Sequence, residues 1–325
     1  MDAELIEHLA ALRDSRARAK LLRRHRDSWC PALVDQLYAQ VVRMARSDLK
    51  RAERLARTAK WLADALDDDG SRAQSLRAAG HIWFMRGRHQ KALEHYKQAL
   101  RRFAKLGRDI DVARTLNGTL QSLISLGRYD DALAAAERAR EIFERHDNTL
   151  GLARLDTNVA NIFFRQDRFN EALALYLRAY ERLAAIGEPQ DVAAALSNLA
   201  MTYTSLNDFQ NAQDTYERAR AYCEAHDKPL LVIQADFNVA YLYYLRGEYT
   251  RSIDLYRAVQ ERCDALGDLY HSALCDLDRS EMYLELNLNE EAAEQSERAY
   301  GRFDRLQMPY EAAKSLTILA LAVSR

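Results

Sequence analysis

Apolar positions along this chain fall at spacings of three and four over most of its length, and short polar or glycine-containing stretches interrupt them about every twenty residues. Leu196, Leu199, Ala200 and Tyr203 form one such stripe, and Ala212, Tyr216, Ala219 and Cys223 form the next. That is the period of an amphipathic α-helix with one face turned to a core, and the breaks between stripes have the length of turns. The pattern predicts an all-α chain.

Steps of forty lay the chain over itself. Residues 158–179 (NVANIFFRQDRFNEALALYLRA), 198–219 (NLAMTYTSLNDFQNAQDTYERA) and 238–259 (NVAYLYYLRGEYTRSIDLYRAV) are versions of one another. A residue after the inner turn recurs at His89, Tyr129, Phe169, Phe209, Tyr249 and Asn289, and a small one follows at Ala92, Ala132, Ala172, Ala212, Ser252 and Ala292. A second small position comes at Ala99, Ala139, Ala179, Ala219, Val259 and Ala299, with Tyr96, Tyr176, Tyr216 and Tyr256 between. These positions share one stripe of a helix, called B. The small residues let a neighbouring helix approach closely.

The preceding helix, A, ends near Gly87, Gly127, Asp167, Asn207, Gly247 or Asn287, residue types that tolerate the left-handed backbone closing a helix. A second set of breakers at 106–109, 146–149, 186–189, 226–229 and 266–269 separates B from the next A. Each unit is helix, tight turn, helix, turn. Repeats of this length belong to quasi-one-dimensional stacks in which each unit touches only its neighbours.

Composition agrees. Eleven Gly and four Pro among 325 residues, with 48% hydrophobic and 29% charged, suit helices joined by short turns. The 47 basic and 48 acidic residues are interspersed, so no global field favours nucleic acid or an anionic membrane. The basic run 13–26, with seven Arg or Lys, is the local exception and reads as a solvated helix face. The start lacks a signal-peptide pattern and no stretch is apolar enough to span a bilayer, so the expected location is cytoplasmic. Cys30, Cys223, Cys263 and Cys275 form no CxxC pair, and Cys223 and Cys263 fill the slot of Phe103, Phe143 and Phe303. They read as core thiols.

The pattern resembles the tetratricopeptide repeat. The resemblance rests on the small slot of helix A at Gly80, Ala160, Ala200, Ala240 and Ser280, followed three residues on by Trp83, Phe163, Tyr203, Tyr243 and Tyr283. The small-aromatic-small stripe of helix B completes it. The period of 40 departs from the family's commonest 34, as in the repeats of kinesin light chains and several bacterial regulators. The usual repeat-ending Pro is absent, and Pro189, Pro229 and Pro309 stand instead where the next A helix begins. The resemblance implies a right-handed superhelix, an α-solenoid of about seven helix pairs. Six copies lie between about 71 and 310, and 47–61 with the helix before it looks like a degenerate first copy. The expected division is an N-terminal helical cap over 1–30, the solenoid over 31–310, and a terminal helix over 311–325 that is either a cap or a truncated repeat.

In that family the A helices line the concave wall. The slot of Gly118, Asn158, Asn198, Asn238 and Asp278 then points beside the core into the groove, and related proteins use Asn there to hold peptide backbone. An amide can donate and accept at once, which suits an extended chain. The alternative is that these amides only tie repeats together. Around them the expected peptide-binding residues are Arg114, Asn117, Gln121, Arg154, Asn161 and Arg165 on a cationic side, and Met201, Gln234, Tyr241 and Tyr244, with Phe237, on an aromatic side. A clamp for a peptide carboxylate is incomplete, because Gln234 and Asn238 stand where cations are needed.

No Gly-rich phosphate loop, HExxH, GxSxG or metal-spaced Cys/His cluster occurs. His81 and His89 read as structural. The expectation is therefore no catalytic residue, no metal, no cofactor, and a protein or peptide partner without a membrane or nucleic acid. Oligomeric state stays open. The leading function is an interaction scaffold. The alternatives are the sensory or regulatory arm of a larger signalling protein, given a loose similarity to repeat regions preceding bacterial CHAT peptidase domains, or a receptor for a short signalling peptide.

Overall fold

A computed structural model of the protein describes residues 2–45, 48–187, 189–306 and 308–324. Ser47 of the degenerate first copy, Glu188 of the 186–189 turn and Arg325 of the terminal segment lie outside the described residues. Helices follow one another in chain order as α1 (Asp2–Ala11), α2 (Ser15–Arg24), α3 (Pro31–Met44), α4 (Leu49–Leu66), α5 (Asp69–Met85) and α6 (His89–Lys105). Then come α7 (Asp109–Ser125), α8 (Tyr129–Arg145), α9 (Thr149–Arg165), α10 (Phe169–Ile186), α11 (Pro189–Ser205) and α12 (Phe209–Ala225). The last are α13 (Pro229–Leu245), α14 (Tyr249–Leu266), α15 (Leu269–Glu285), α16 (Asn289–Arg305) and α17 (Pro309–Val323). No strand occurs among the described residues.

The forty-residue period is two twenty-residue halves closed by the same turn. Asp167, Asn207 and Asn287 end A helices at φ 57°, 57° and 58°, and Asp67, Asp147 and Asp227 take 53°, 49° and 52° at the ends of B helices. At Asn207 the amide donates to the Thr204 carbonyl at 3.0 Å, and the Asp208 amide reaches back to the Tyr203 carbonyl at 2.9 Å. The two bonds satisfy carbonyls that a helix end would otherwise leave open. Gly127 does the same at φ 70°. Thus the sequence places the left-handed turns where expected.

Small residues are set by the rings above them. A Cβ built on Gly80 would meet the Tyr96 ring at 2.7 Å, which is why glycine stands there. In the equivalent positions Ala200 packs with Tyr216, and Ala240 with Tyr256. The slot of Phe103, Phe143, Leu183, Cys223, Cys263 and Phe303 is buried in every copy. Burial pushes the Cys263 thiol up to about 11 and raises Cys223 and Cys275 as well, so these are packing groups and poor nucleophiles.

The chain divides into two compact units, 1–167 and 168–325. In the first, Leu5, Ile6, Leu9 and Leu22 of α1 and α2 join Leu33, Leu37, Leu55 and Leu62 in one core. The basic run contributes Arg18 to that packing, where its guanidinium donates to the Leu12 and Arg13 carbonyls at 2.8 and 3.1 Å. In both units successive A helices touch more extensively than successive B helices do. The contacts run α3 to α5 to α7 to α9 in the first unit and α11 to α13 to α15 to α17 in the second. The A side is therefore the tight, inner side of each unit.

A periodic feature of the A helices has charge where the core is expected. Asp156, Asp236 and Asp276 fall on one slot of the forty-residue register, which holds Leu116 and Leu196 in other copies, and all are buried. In the first unit Arg140 of the preceding B helix bonds Asp156 at 2.8 Å. In the second, Asp236 takes Arg220 from the preceding B helix at 3.1 Å and Arg262 from the following one at 2.6 Å. Asp276 receives Gln260 at 2.6 Å, Arg302 at 2.7 Å and Arg279 at 3.0 Å. One carboxylate thereby joins an A helix to both flanking B helices.

Candidate functional site

In the first unit, α7 and α9 bring the predicted amides together. Asn158 donates through Nδ2 to Asn117 Oδ1 at 2.8 Å and accepts at Oδ1 from Gln121 Nε2 at 3.1 Å. All three are half-buried. Each amide still has a second hydrogen or lone pair to offer, so the chain of amides is tied without being used up. Arg154 and Asn161 are also engaged with neighbours. Arg114, Arg154 and Arg165 are exposed, and Arg114 lies in the field of Asp35, whose carboxyl is raised by burial. At Gly118, where the amide slot is empty, the Tyr96 hydroxyl lies 3.9 Å from where a Cβ would stand.

In the second unit, Asn198 and Asn238 occupy the same register on α11 and α13, half-buried beside the core residues Leu199 and Val239. Among the described residues their side-chain amides hold no hydrogen bond, and both remain open to water. Met201 and Tyr241, 40% and 45% exposed, flank them, with Gln234 exposed one turn before Asn238. Tyr241 and Tyr244 are in ring contact at 5.9 Å, and the Tyr244 hydroxyl donates to Glu285 at 2.7 Å. Burial, and then the Glu285 carboxylate, hold that hydroxyl well above the usual phenol range. Phe237 turns inward and packs edge-on against Tyr256 at 5.1 Å, so it belongs to the core between α13 and α14.

The amide slot ends in the acid that the forty-residue period places there. Asp278 on α15 accepts from the Tyr256 hydroxyl at 2.9 Å. Burial pushes its carboxyl up to about 6; the Tyr256 bond opposes this, Glu281 adds to it, and Lys314 opposes it again. Lys314 itself is bonded to Glu281 at 2.5 Å. An acid whose folded pKa exceeds its unfolded value of about 3.9 costs stability once ionised. The cost is absent below about pH 4 and complete above about pH 6. Asp278→Asn, which keeps an acceptor for Tyr256, is therefore expected to stabilise the protein by roughly 2 kcal/mol at pH 7 and hardly at all at pH 4. Thermal melts of the two proteins across that range check it, and a pH-independent difference would contradict it.

Among the described residues no group of three or more His, Cys, Asp or Glu could hold a metal ion, and no helix is long and apolar enough to cross a membrane. The His81 and His89 rings both contact the Phe84 ring, with centroids 6.1 and 5.8 Å from it.

Comparison with known proteins agrees with this architecture. A tetratricopeptide-repeat family model matches residues 71–145 and 151–225. Among curated proteins no sequence matches. A signal transduction ATPase with numerous domains from Pyrococcus horikoshii, described as carrying a tetratricopeptide repeat sensor, superimposes with a TM-score of 0.72 at 14% identity. The superposition covers 98% of this chain and 48% of that one, so this chain spans about half the length of that protein. Aspartyl phosphate phosphatase F from Bacillus subtilis gives 0.59 at 14% identity, over 98% of this chain and 87% of its own. A Rap protein complexed with competence and sporulation factor gives 0.56 at 15% identity, over 91% and 98%.

Proposed function

We propose, from the premise that this chain is a tetratricopeptide-repeat protein, that it binds an extended peptide or partner segment along the inner face of its A helices. The observation that carries this reading is the pair Asn198 and Asn238, on successive A helices, with unengaged amides beside exposed Met201 and Tyr241. Such amides bond the backbone of an extended chain whatever its sequence, while Met201, Tyr241 and Tyr244 select apolar side chains. In the first unit the Asn117, Asn158 and Gln121 amides offer the same backbone contacts from a fixed geometry, beside Arg114, Arg154 and Arg165 for acidic groups. A Rap conjugation gene regulator of similar fold, solved in complex with the Phr* peptide, supports the same reading for a short signalling peptide.

A second reading has its own support. The match to a repeat sensor that spans 98% of this chain but 48% of the ATPase favours a sensory or regulatory role, in which the same inner face reports a ligand to another part of a signalling protein.

The test is a peptide-library capture on the wild-type chain beside the Asn158→Ala, Asn198→Ala, Asn238→Ala triple variant, with circular dichroism of both. Each amide contributes about 1 kcal/mol net, so a peptide held by Asn198 and Asn238 of the second unit is expected to be captured about thirtyfold less well by the triple variant. Because Asn198 and Asn238 tie nothing within the protein, Asn198→Ala alone is expected to leave the melting temperature nearly unchanged. Equal capture by both proteins refutes the reading, and so does a collapse of stability in Asn198→Ala.

A further inference from the structure

In the second unit the amide row does not end in an amide. Asn198 on α11 and Asn238 on α13 are followed, at the same slot of α15, by Asp278. An amide both donates and accepts, whereas an ionised carboxylate only accepts, so the third position asks for a different partner. Tyr256 of α14 is fully buried, and its hydroxyl, held well above the usual phenol range chiefly by burial, keeps its proton and donates to Asp278 Oδ2 at 2.9 Å. The equivalent ring one repeat earlier, Tyr216, bonds Thr204 instead and leaves Asn238 untied. Tyr256 thereby fixes one oxygen of the acid. Among the described residues the other, Oδ1, receives no hydrogen bond, and it stays open to water.

The charges nearby are engaged with other groups. Lys314 of α17 bonds Glu281 at 2.5 Å, and Glu285 receives the Tyr244 hydroxyl at 2.7 Å. The other titratable groups around Asp278 are Tyr270 and Cys275 on its own helix, with Tyr241 of α13 next to Tyr256, and none of them is a cation. A half-buried carboxylate without an ion pair gains most from a cation brought to it. One open oxygen suits a compact point charge, since the guanidinium fork is matched only where both oxygens are free. Resting on the peptide reading of the inner face, we propose that Asp278 is the specificity-determining residue of the row, receiving at Oδ1 a primary ammonium of the bound peptide, from its free amino terminus or from a lysine. The apolar residue that Tyr241 selects then has a positive charge as its neighbour. Ammonium binding is linked to the Asp278 proton. Burial holds the carboxyl at about 6 in the free protein, so the ammonium has a charged partner above that pH and loses it below.

The probes are short synthetic peptide libraries, captured by the immobilised full chain at pH 7 and pH 5. One has free amino termini and neither lysine nor arginine, while the others are acetylated and contain lysine alone, arginine alone, or neither. At pH 7 the wild-type chain is expected to retain at least one of the two ammonium-bearing libraries about tenfold better than the acetylated library with neither cation. Which one it retains tells terminus from side chain. The preference is expected to be largely lost at pH 5, and absent at either pH in Asp278→Asn. That variant keeps an acceptor for Tyr256, and circular dichroism checks its fold. It should still capture peptides, and lose them when Asn198→Ala and Asn238→Ala are added. Retention that depends on the two asparagines but not on an ammonium overturns the proposal and leaves the peptide reading standing. A preference that survives Asp278→Asn, or that arginine satisfies equally, also overturns it. Retention indifferent to both asparagines, or none at all, defeats the peptide reading and this proposal with it.

Discussion

Ala200→Arg is expected to destroy the cooperative unfolding of the second unit. Ala200 is fully buried against Ala212, Tyr216, Val239 and Leu242, so its methyl lies where helix α11 meets both α12 and α13. A guanidinium at this position either separates the helices or enters the core unpaired, and each alternative costs about 4 kcal/mol or more. That approaches the total stability of an ordinary domain. In a stack stabilised by nearest neighbours the loss spreads, because α11 and α13 lose their mutual support together. Urea unfolding followed by circular dichroism checks this. A variant that retains the wild-type midpoint would show that the repeats tolerate separation, and the packing account would be wrong.

Asp276→Ala comes next in expected effect. Its carboxylate compensates Arg279, itself 4% exposed, and half-buried Arg302, and it also receives Gln260. Removing it leaves buried Arg279 without a counter-charge and Arg302 with Asp264 alone, at 3.3 Å. Arg279 retains Gln260 and Gln295 as neutral acceptors at 2.5 and 2.8 Å, so the loss is that of a broken buried pair rather than of an isolated charge. About 3 kcal/mol is expected. Other copies supply a rescue: Leu116 with Ile142 fills the same two positions without charge. The double change Asp276→Leu, Arg302→Ile is thus expected to recover part of the loss, since an apolar pair of similar volume often replaces a buried ion pair at little cost. Denaturant midpoints for the single and double variants decide it. A double variant less stable than Asp276→Ala would show that the two positions are not interchangeable units of the repeat.

Much of the fold is legible in the sequence because a repeat states each constraint six times. The left-handed turns are written in Gly, Asn and Asp at fixed intervals, and the close contact of Gly80 with Tyr96 is written in the small and aromatic slots. Cys223 and Cys263 are readable as core residues only because Phe103 and Phe143 occupy their slot elsewhere. The buried aspartates escape this reading. An acid in an amphipathic helix looks like surface, and only Arg140, Arg220, Arg262 and Arg302, arriving from other helices, reveal that Asp156, Asp236 and Asp276 lie inside.

The amides show the other limit. Asn158 and Asn238 are equivalent in register, yet Asn158 is bonded on both sides and Asn238 on neither. The difference lies on the preceding A helix. Asn117 and Gln121 reach Asn158, whereas Ser197 and Met201 stand in those positions before Asn238, one too short and the other without an amide. A periodic pattern identifies the slot, and its neighbours decide whether the slot is free to act. For Asp278 the neighbour is Tyr256, whose hydroxyl bonds the carboxylate and partly offsets the rise in pKa that burial imposes.

Hydrogen–deuterium exchange of the chain with and without a captured peptide tests the central claim most directly. Binding along the inner face of the second unit predicts slower exchange in the A helices that carry Asn198 and Asn238, namely α11 and α13, with α12 and α14 little changed. Protection confined to the B helices, or to α17, would contradict it and would place the ligand on another surface.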